Sequence, residues 1–306
     1  TTLRSAIDSH NNDKKDNRRL SYLRYNYAVA LIKSGRRTQG RAELDRLGQN
    51  ESGETTLRDR ANLVLGYHLL NEARGTDATP VFQRLPLSGP YTNRGLLGLG
   101  WSELSHSSES DSVSSKNSRA RRALDAWRPL TRRNPMDPAV QEALVAAPYA
   151  SEQLGQFDAA SRNYKTAIES YERVDGQLKQ EAKTLRRGDL SDAILKDNAG
   201  AIPHSGTMED LYTSHRFQTH AQNYRDLERL QQALADLGGS PKLQRELAQT
   251  ADEQIQFAQN ELAEVLETQI KNLEQYEISA RLGLLRNYNR DEDSPILRAT
   301  PENEVQ

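Results

Sequence analysis

LGYHLLNEARGTDATPVFQRLPLSGP, residues Leu65 to Pro90, and LGWSELSHSSESDSVSSKNSRARRALDAWRPLTRRNP, residues Leu99 to Pro135, write one pattern twice. The first copy sets out Leu65-Gly66, Ala78, Phe82 and Pro90, and the second sets out Leu99-Gly100, Ala123, Trp127 and Pro135. The intervals from Ala to aromatic to Pro are identical, while Gly to Ala is twelve positions in the first copy and twenty-three in the second. The second copy therefore holds eleven extra residues between its two helices. Such repetition predicts tandem helical hairpins. Small residues let two helices approach closely, an aromatic four positions past the Ala shares its face and fills the gap to the next hairpin, and Pro ends the second helix.

A degenerate unit precedes this pair, with Tyr27-Ala28 for Leu-Gly and Gly40 with Leu44 for Ala and the aromatic. A further unit follows, carrying Ala160, Tyr164 and Ala167 in register and a turn at Gly155-Gln156-Phe157. Its close-contact position is Pro148, expected to kink the first helix. On these residues the chain resembles the tetratricopeptide repeat (TPR) family, whose unit of about 34 residues reads W-x2-L-G-x2-Y, then A-x3-F, then P. Asn62 and Leu69 stand where that family prefers Trp and Tyr. The resemblance covers roughly residues 17–172, about four units, after an N-terminal extension of residues 1–16. The alternative is another helical-hairpin solenoid of different curvature.

The organisation changes past Tyr171. A charged helix over 168–187 is expected to stop at Arg186-Arg187-Gly188. A loop from Asp197 to Gly206 follows, and a helix capped by Thr207 is expected to run to about Leu237. These connecting helices occupy 173–240. Pro241 then opens a helix expected over 241–290, where Leu243, Leu247, Ala251, Ile255, Ala258, Leu262, Val265, Leu266, Ile270, Leu273, Tyr276, Ala280 and Leu284 keep an apolar stripe. Gln254, Gln259 and Gln269 interrupt it, so it does not spell a leucine zipper. That helix either braces the chain internally or forms a coiled coil with another chain. The tail 291–306 and the Ser-rich insertion 106–118 read as disordered. The fold class is thus all-α: a TPR-like hairpin solenoid followed by a coiled-coil-like long-helix region.

Composition narrows the function. Lys plus Arg number 41 against 43 for Asp plus Glu, a net charge of -2, so no chain-wide basic field favours nucleic acid as a partner. There is no Cys, hence no thiolate metal site, Cys nucleophile or disulfide framework. No run of 18 apolar residues is present to span a membrane. The chain opens Thr-Thr-Leu rather than with Met, which points to a removed signal peptide, upstream segment or tag. His215 and His220 are five apart, unlike the four-residue spacing that converges on a metal. Gly95, Gly98 and Gly100 run in the wrong order for a dinucleotide loop and follow no strand. Neither a phosphate loop nor a nucleophile elbow occurs. The expectation is a non-enzymatic chain with no metal and no cofactor.

What the resemblance implies is a concave groove lined by the first helix of each hairpin. On this chain the groove residues would be Tyr25, Arg60, Leu63, Tyr67, Arg94, Leu97, Trp101, Val145 and Tyr149, an aromatic and aliphatic surface with a cationic rim. It suits an extended or helical partner segment with apolar anchors. The runs Asp59-Arg60-Ala61-Asn62-Leu63, Gly89-Pro90-Tyr91 and Asn223-Tyr224-Arg225-Asp226-Leu227 are similar to those of uncharacterised TPR proteins of Gram-negative bacteria. That similarity implies an envelope-associated, periplasmic scaffold, with the cytoplasm as the alternative compartment. The competing reading is a structural subunit that oligomerises through residues 241–290.

Overall fold

The computed structural model describes residues 17–50, 54–105, 112–186, 215–238 and 240–292. The extension 1–16, the loop Asp197 to Gly206, the cap at Thr207, residues 106–111 of the insertion and the tail from 293 lie outside the described residues. Those described are α-helical, with one 3-10 turn and no strand among them.

The chain divides into two compact units, Thr1–Arg133 with Ala146–Ala160, and Asn134–Val145 with Ser161–Gln306. The first unit contains α1 (Asn17–Lys33), α2 (Arg37–Gly48), α3 (Thr55–Asn71), α4 (Gly75–Phe82), α5 (Thr92–Leu104), α6 (Val113–Trp127) and a 3-10 turn at Leu130–Arg132. Each of these helices packs on the next. In addition α1 touches α3 and α3 touches α5, so first helices of successive hairpins adjoin. The core runs through Ala28, Leu44, Leu57, Ala61, Leu65, Ala78 and Phe82.

The hairpin turns share one construction. At Ser34-Gly35-Arg36, the Gly35 amide donates to Ile32 O at 3.0 Å and the Arg36 amide to Leu31 O at 2.9 Å. Ala73 and Arg74 do the same to Leu70 O and Leu69 O, and Gly155 and Gln156 to Glu152 O and Ser151 O. This double closure needs a left-handed residue in the middle, and φ is +83° at Gly35, +56° at Ala73 and +73° at Gly155. Five residues beyond each comes the small residue of the second helix: Gly40, Ala78 and Ala160. All three are buried.

The aromatic wedges lie where the repeat places them. An added Cβ at either Gly66 or Gly98 would overlap the Phe82 ring, so that ring fills the space between α3 and α5. Trp127 sits against Gly100 in the same way, and its Nε1 donates to Leu97 O at 3.1 Å. The prolines behave differently from expectation. α4 ends at Phe82 and α6 at Trp127, so the aromatic closes the second helix, while Pro90 lies on the approach to α5 and Pro135 follows the 3-10 turn. The insertion is not wholly irregular either. Ser112 Oγ accepts from the Ser115 amide at 3.2 Å and caps α6, so residues 113–118 lengthen that helix to 15 residues, against 8 for α4.

Helices α7 (Pro138–Gln153) and α8 (Phe157–Arg186) each contribute to both units. α7 continues through Pro148, which is buried, and α8 is one unbroken helix of 30 residues that passes the expected boundary near 172. The second unit adds α9 (His215–Asp236) and α10 (Pro241–Glu292). α10 has 52 residues, about 78 Å at ~1.5 Å per residue. It packs on α9 through Ala251 and Ala258 on one side and Phe217, Ala221 and Tyr224 on the other.

From Leu262 onward α10 keeps one inward seam at alternating four- and three-residue steps: Leu262, Leu266, Gln269, Leu273, Tyr276, Ala280, Gly283 and Asn287. The Tyr164 ring occupies the space an added Cβ at Gly283 would need, Tyr276 tilts against Tyr171 at 6.4 Å, and Arg281 pairs with Glu172 at 3.0 Å. Gln269 Nε2 donates to Met136 O at 3.0 Å. The long helix thus braces its own unit. Among the described residues no helix is long and apolar enough to cross a membrane.

Candidate binding face

Aligned positions on α1, α3 and α5 bring the expected groove residues into three clusters. Arg60 is exposed and lays its guanidinium over the Tyr25 ring at 5.2 Å, a cation–π contact. Tyr67 meets Phe82 edge-on at 5.3 Å and donates its hydroxyl to Arg94 O at 2.8 Å, tying α3 to α5. Trp101 meets Trp127 edge-on at 5.0 Å. The wedges Phe82 and Trp127 are therefore also the floor on which the two surface aromatics rest.

Burial sorts the expected residues. Tyr25, Leu63 and Leu97 are 8%, 2% and 5% exposed, so they are packing residues with little surface for a partner. Three steps along a helix leave Leu63 and Leu97 about 60° around the axis from Arg60 and Arg94, and that offset turns them into the packing between helices. Tyr67 and Trp101 are half-buried, Arg60 and Arg94 are exposed, and Tyr149 in the first unit is 40% exposed. Val145 is half-buried on the part of α7 that belongs to the second unit.

Tyr22 and Val29 on α1 and Val64 on α3 extend the face and are at least partly exposed. Arg19, Tyr22, Asn26, Val29 and Lys33 on α1, Arg60, Val64, Tyr67 and Asn71 on α3, and Arg94 and Trp101 on α5 share its rows, and none is a carboxylate. Glu54 borders it, accepting from the Tyr22 hydroxyl at 3.3 Å. A chain with net charge -2 thus presents one cationic, aromatic surface.

One charged cluster was not legible from motifs. Glu72 gathers Arg41, Arg37 at 3.9 Å, Arg74 at 4.0 Å and His68 at 3.4 Å. Its only sequence signal is the four-residue step from His68 on α3 to Glu72 at the C-cap of that helix. Burial, foremost, pulls the His68 pKa below its ordinary value; Glu72 opposes this and the three arginines add to it. His220 is half-buried, stacked on Phe257 and 2.9 Å from Gln254 Oε1. Among the described residues no group of His, Asp and Glu converges as a metal site. Neither a family model nor a curated protein matches this sequence.

Proposed function

We propose that this chain is a non-enzymatic protein-binding scaffold, a TPR-like hairpin array whose first helices form the receiving surface. The observation that carries the reading is the face shared by α1, α3 and α5. It offers Tyr22, Tyr67 and Trp101 beside exposed Arg60 and Arg94, with no carboxylate at the aligned positions. Aromatic and Arg side chains on rigid helices are what recognition of a peptide segment uses. The partner is an extended or helical segment with apolar anchors and acidic residues between them. An envelope-associated, periplasmic setting is part of the proposal and rests on the resemblance of the runs quoted above.

The test is site-directed photo-crosslinking in the native host. Crosslinkers at Tyr67 and Trp101 should capture the same partner segment, while one at Asp125, exposed on α6, should not. Arg60→Glu with Arg94→Glu should abolish the capture at unchanged melting temperature. Equal capture from Asp125 would sink the reading.

A second reading has its own observation. Ile278, Leu282 and Leu285 are half-exposed on the side of α10 turned away from Ala280, Gly283 and Asn287. An apolar stripe on that side favours assembly through the long helix.

A further inference from the structure

From 225 to 250 the chain holds six leucines, and among the described residues of that stretch none is buried. The stretch is the far half of the pair α9 and α10, whose buried contacts are Phe217, Ala221 and Tyr224 against Ala251 and Ala258. On α9, His220, Asn223, Leu227, Leu230, Leu234 and Leu237 recur at three- and four-residue steps, and on α10 so do Leu243, Leu247, Thr250, Gln254 and Phe257. Each series is one stripe of a helix surface. The two stripes share a side of the pair, because His220 stacks on Phe257 at 5.4 Å and lies 2.9 Å from Gln254 Oε1, to which Asn223 Nδ2 also donates at 3.4 Å. Leu230 and Leu237 are 57% and 84% exposed, and Leu243 and Phe257 are exposed too. A further stripe, Arg225, Arg229, Gln232 and Asp236, lies on the far side of α9 and is polar. The pair is thus amphipathic as a unit, with one leucine face that two helices leave uncovered.

The way α8 and α9 meet α10 sets what lies beside that face. Along α8, Tyr164 sits at Gly283 and Tyr171 at Tyr276, so seven residues forward on α8 are seven back on α10. That register brings the end of α8 at Arg186 level with about residue 261 of α10. His220, placed against Gln254 and Phe257, brings the start of α9 at His215 level with the same turn. The two helices therefore stand end to end along one seam of α10, yet 28 residues, 187–214, connect them. Connections of that length are uncommon inside a compact unit, where a few residues would serve. Set among Asp189, Asp192 and Asp197, this one carries Leu190, Ala193, Ile194 and Leu195, apolar at i, i+3 and i+4.

We propose that the leucine face of α9 and α10 is the docking surface for residues 187–214 of the same chain, with Leu190, Ile194 and Leu195 laid on Leu227, Leu230 and Leu247 as a third layer. The chain leaves α8 heading along α10 toward this face. Because α9 stands directly ahead, it has to pass along one side of the pair, and one side is polar while the other is apolar. Leu190 is four residues past Arg186, and four extended residues span about 13 Å, which brings it level with the turn of Gln254. Residues 196–214 span up to about 60 Å, ample for the return to His215. Tethered at both ends beside the face, the segment is present there at an effective concentration in the millimolar range, which a separate partner making equal contacts would have to exceed.

The test uses the full chain. A benzophenone amino acid at position 230 should form a photo-crosslink to residues 187–214 within one chain, located by mass spectrometry on protein of monomeric mass. The same probe at Gln232, exposed on the polar side, should not. Amide exchange over 190–195 should be slowed at least roughly tenfold against unstructured chain. Leu230→Asp with Leu237→Asp should return it to the unstructured rate while α10 keeps its protection, since both side chains are more than half exposed. Leu190→Asp with Ile194→Asp, which leaves α8, α9 and α10 untouched, should do the same. Unslowed exchange in the natural chain, slowing that survives both double variants, equal capture from position 232, or a probe at 230 that reaches only a second chain or nothing in 187–214 would each overturn the proposal.

Discussion

Ala73 is held at φ +56° in a turn whose counterparts use Gly35 and Gly155. A side chain in the left-handed region costs roughly 1–2 kcal/mol, partly offset because Gly would gain unfolded-state entropy. Ala73→Gly should therefore raise stability by about 0.5–1 kcal/mol, read as a higher urea midpoint at unchanged slope. Phe82 is 2% exposed and fills the gap between Gly66 and Gly98. Phe82→Ala should cost about 3–5 kcal/mol. Gly98→Ala, which forces a Cβ into that ring, should be destabilising alone but much less so beside Phe82→Leu, a coupling that a double-mutant cycle measures. His68 titrates below its ordinary value in the folded chain because of its burial. The unfolded chain then binds the extra proton first, so stability is full above pH ~6.5 and falls as pH drops toward the lowered folded value. Melting temperatures at pH about 7.5 and about 5.5 should differ more for the natural chain than for His68→Gln. Equal differences would dismiss this histidine as a source of acid sensitivity.

At the scale of elements, Ser112 marks where the insertion becomes helix. Its hydroxyl caps α6, and Val113 to Lys116 are exposed. Removing residues 106–111 should leave α6 intact at a change of roughly 1 kcal/mol or less through loop closure. Ser112→Ala should instead speed amide hydrogen exchange in the first turn of α6, since an N-cap contributes about 0.5–2 kcal/mol. Identical exchange in the two proteins would show that the cap is idle. The contacts between hairpins α3–α4 and α5–α6 are written into the sequence. Gly66, Ala78, Phe82, Gly100, Ala123 and Trp127 were legible because two helices can approach only at small residues with a large ring alongside, a demand visible as spacing. The turn at Ala73 was not, since Ala carries no mark of a left-handed backbone. Pro90 misled because a proline before a helix and one ending a helix look alike in sequence. Asn62 looked like a departure from the repeat. It is a buried link, its Nδ2 donating to Gly48 O at 2.9 Å where α2 ends. Leu63 and Leu97 share a helix face with Arg60 and Arg94 by spacing alone, and only the packing of the neighbouring helices separates a buried edge of that face from its open part.

At the scale of the whole molecule, the open question is whether the chain works alone or as an assembly, and α10 decides it. Its seam from Leu262 to Asn287 is occupied within the second unit by Tyr164, Tyr171 and Met136, so the face a coiled-coil partner would need is already used. The opposite side offers Ile278, Leu282 and Leu285, each about half-exposed. A stable dimer draws on roughly 20–30 residues a side, and three partly covered side chains fall well short of that. The flanking charges do not supply the remainder. Arg281 is engaged with Glu277 and Glu172, and paired charges at an exposed edge contribute little. The chain should therefore be a monomer of 34.5 kDa by light scattering from low to high micromolar concentration. Leu282→Glu should leave that mass unchanged. A concentration-independent dimer that Leu282→Glu dissociates would turn the argument round: α10 would then be an assembly helix, and the cationic face of α1, α3 and α5 a decoration on it.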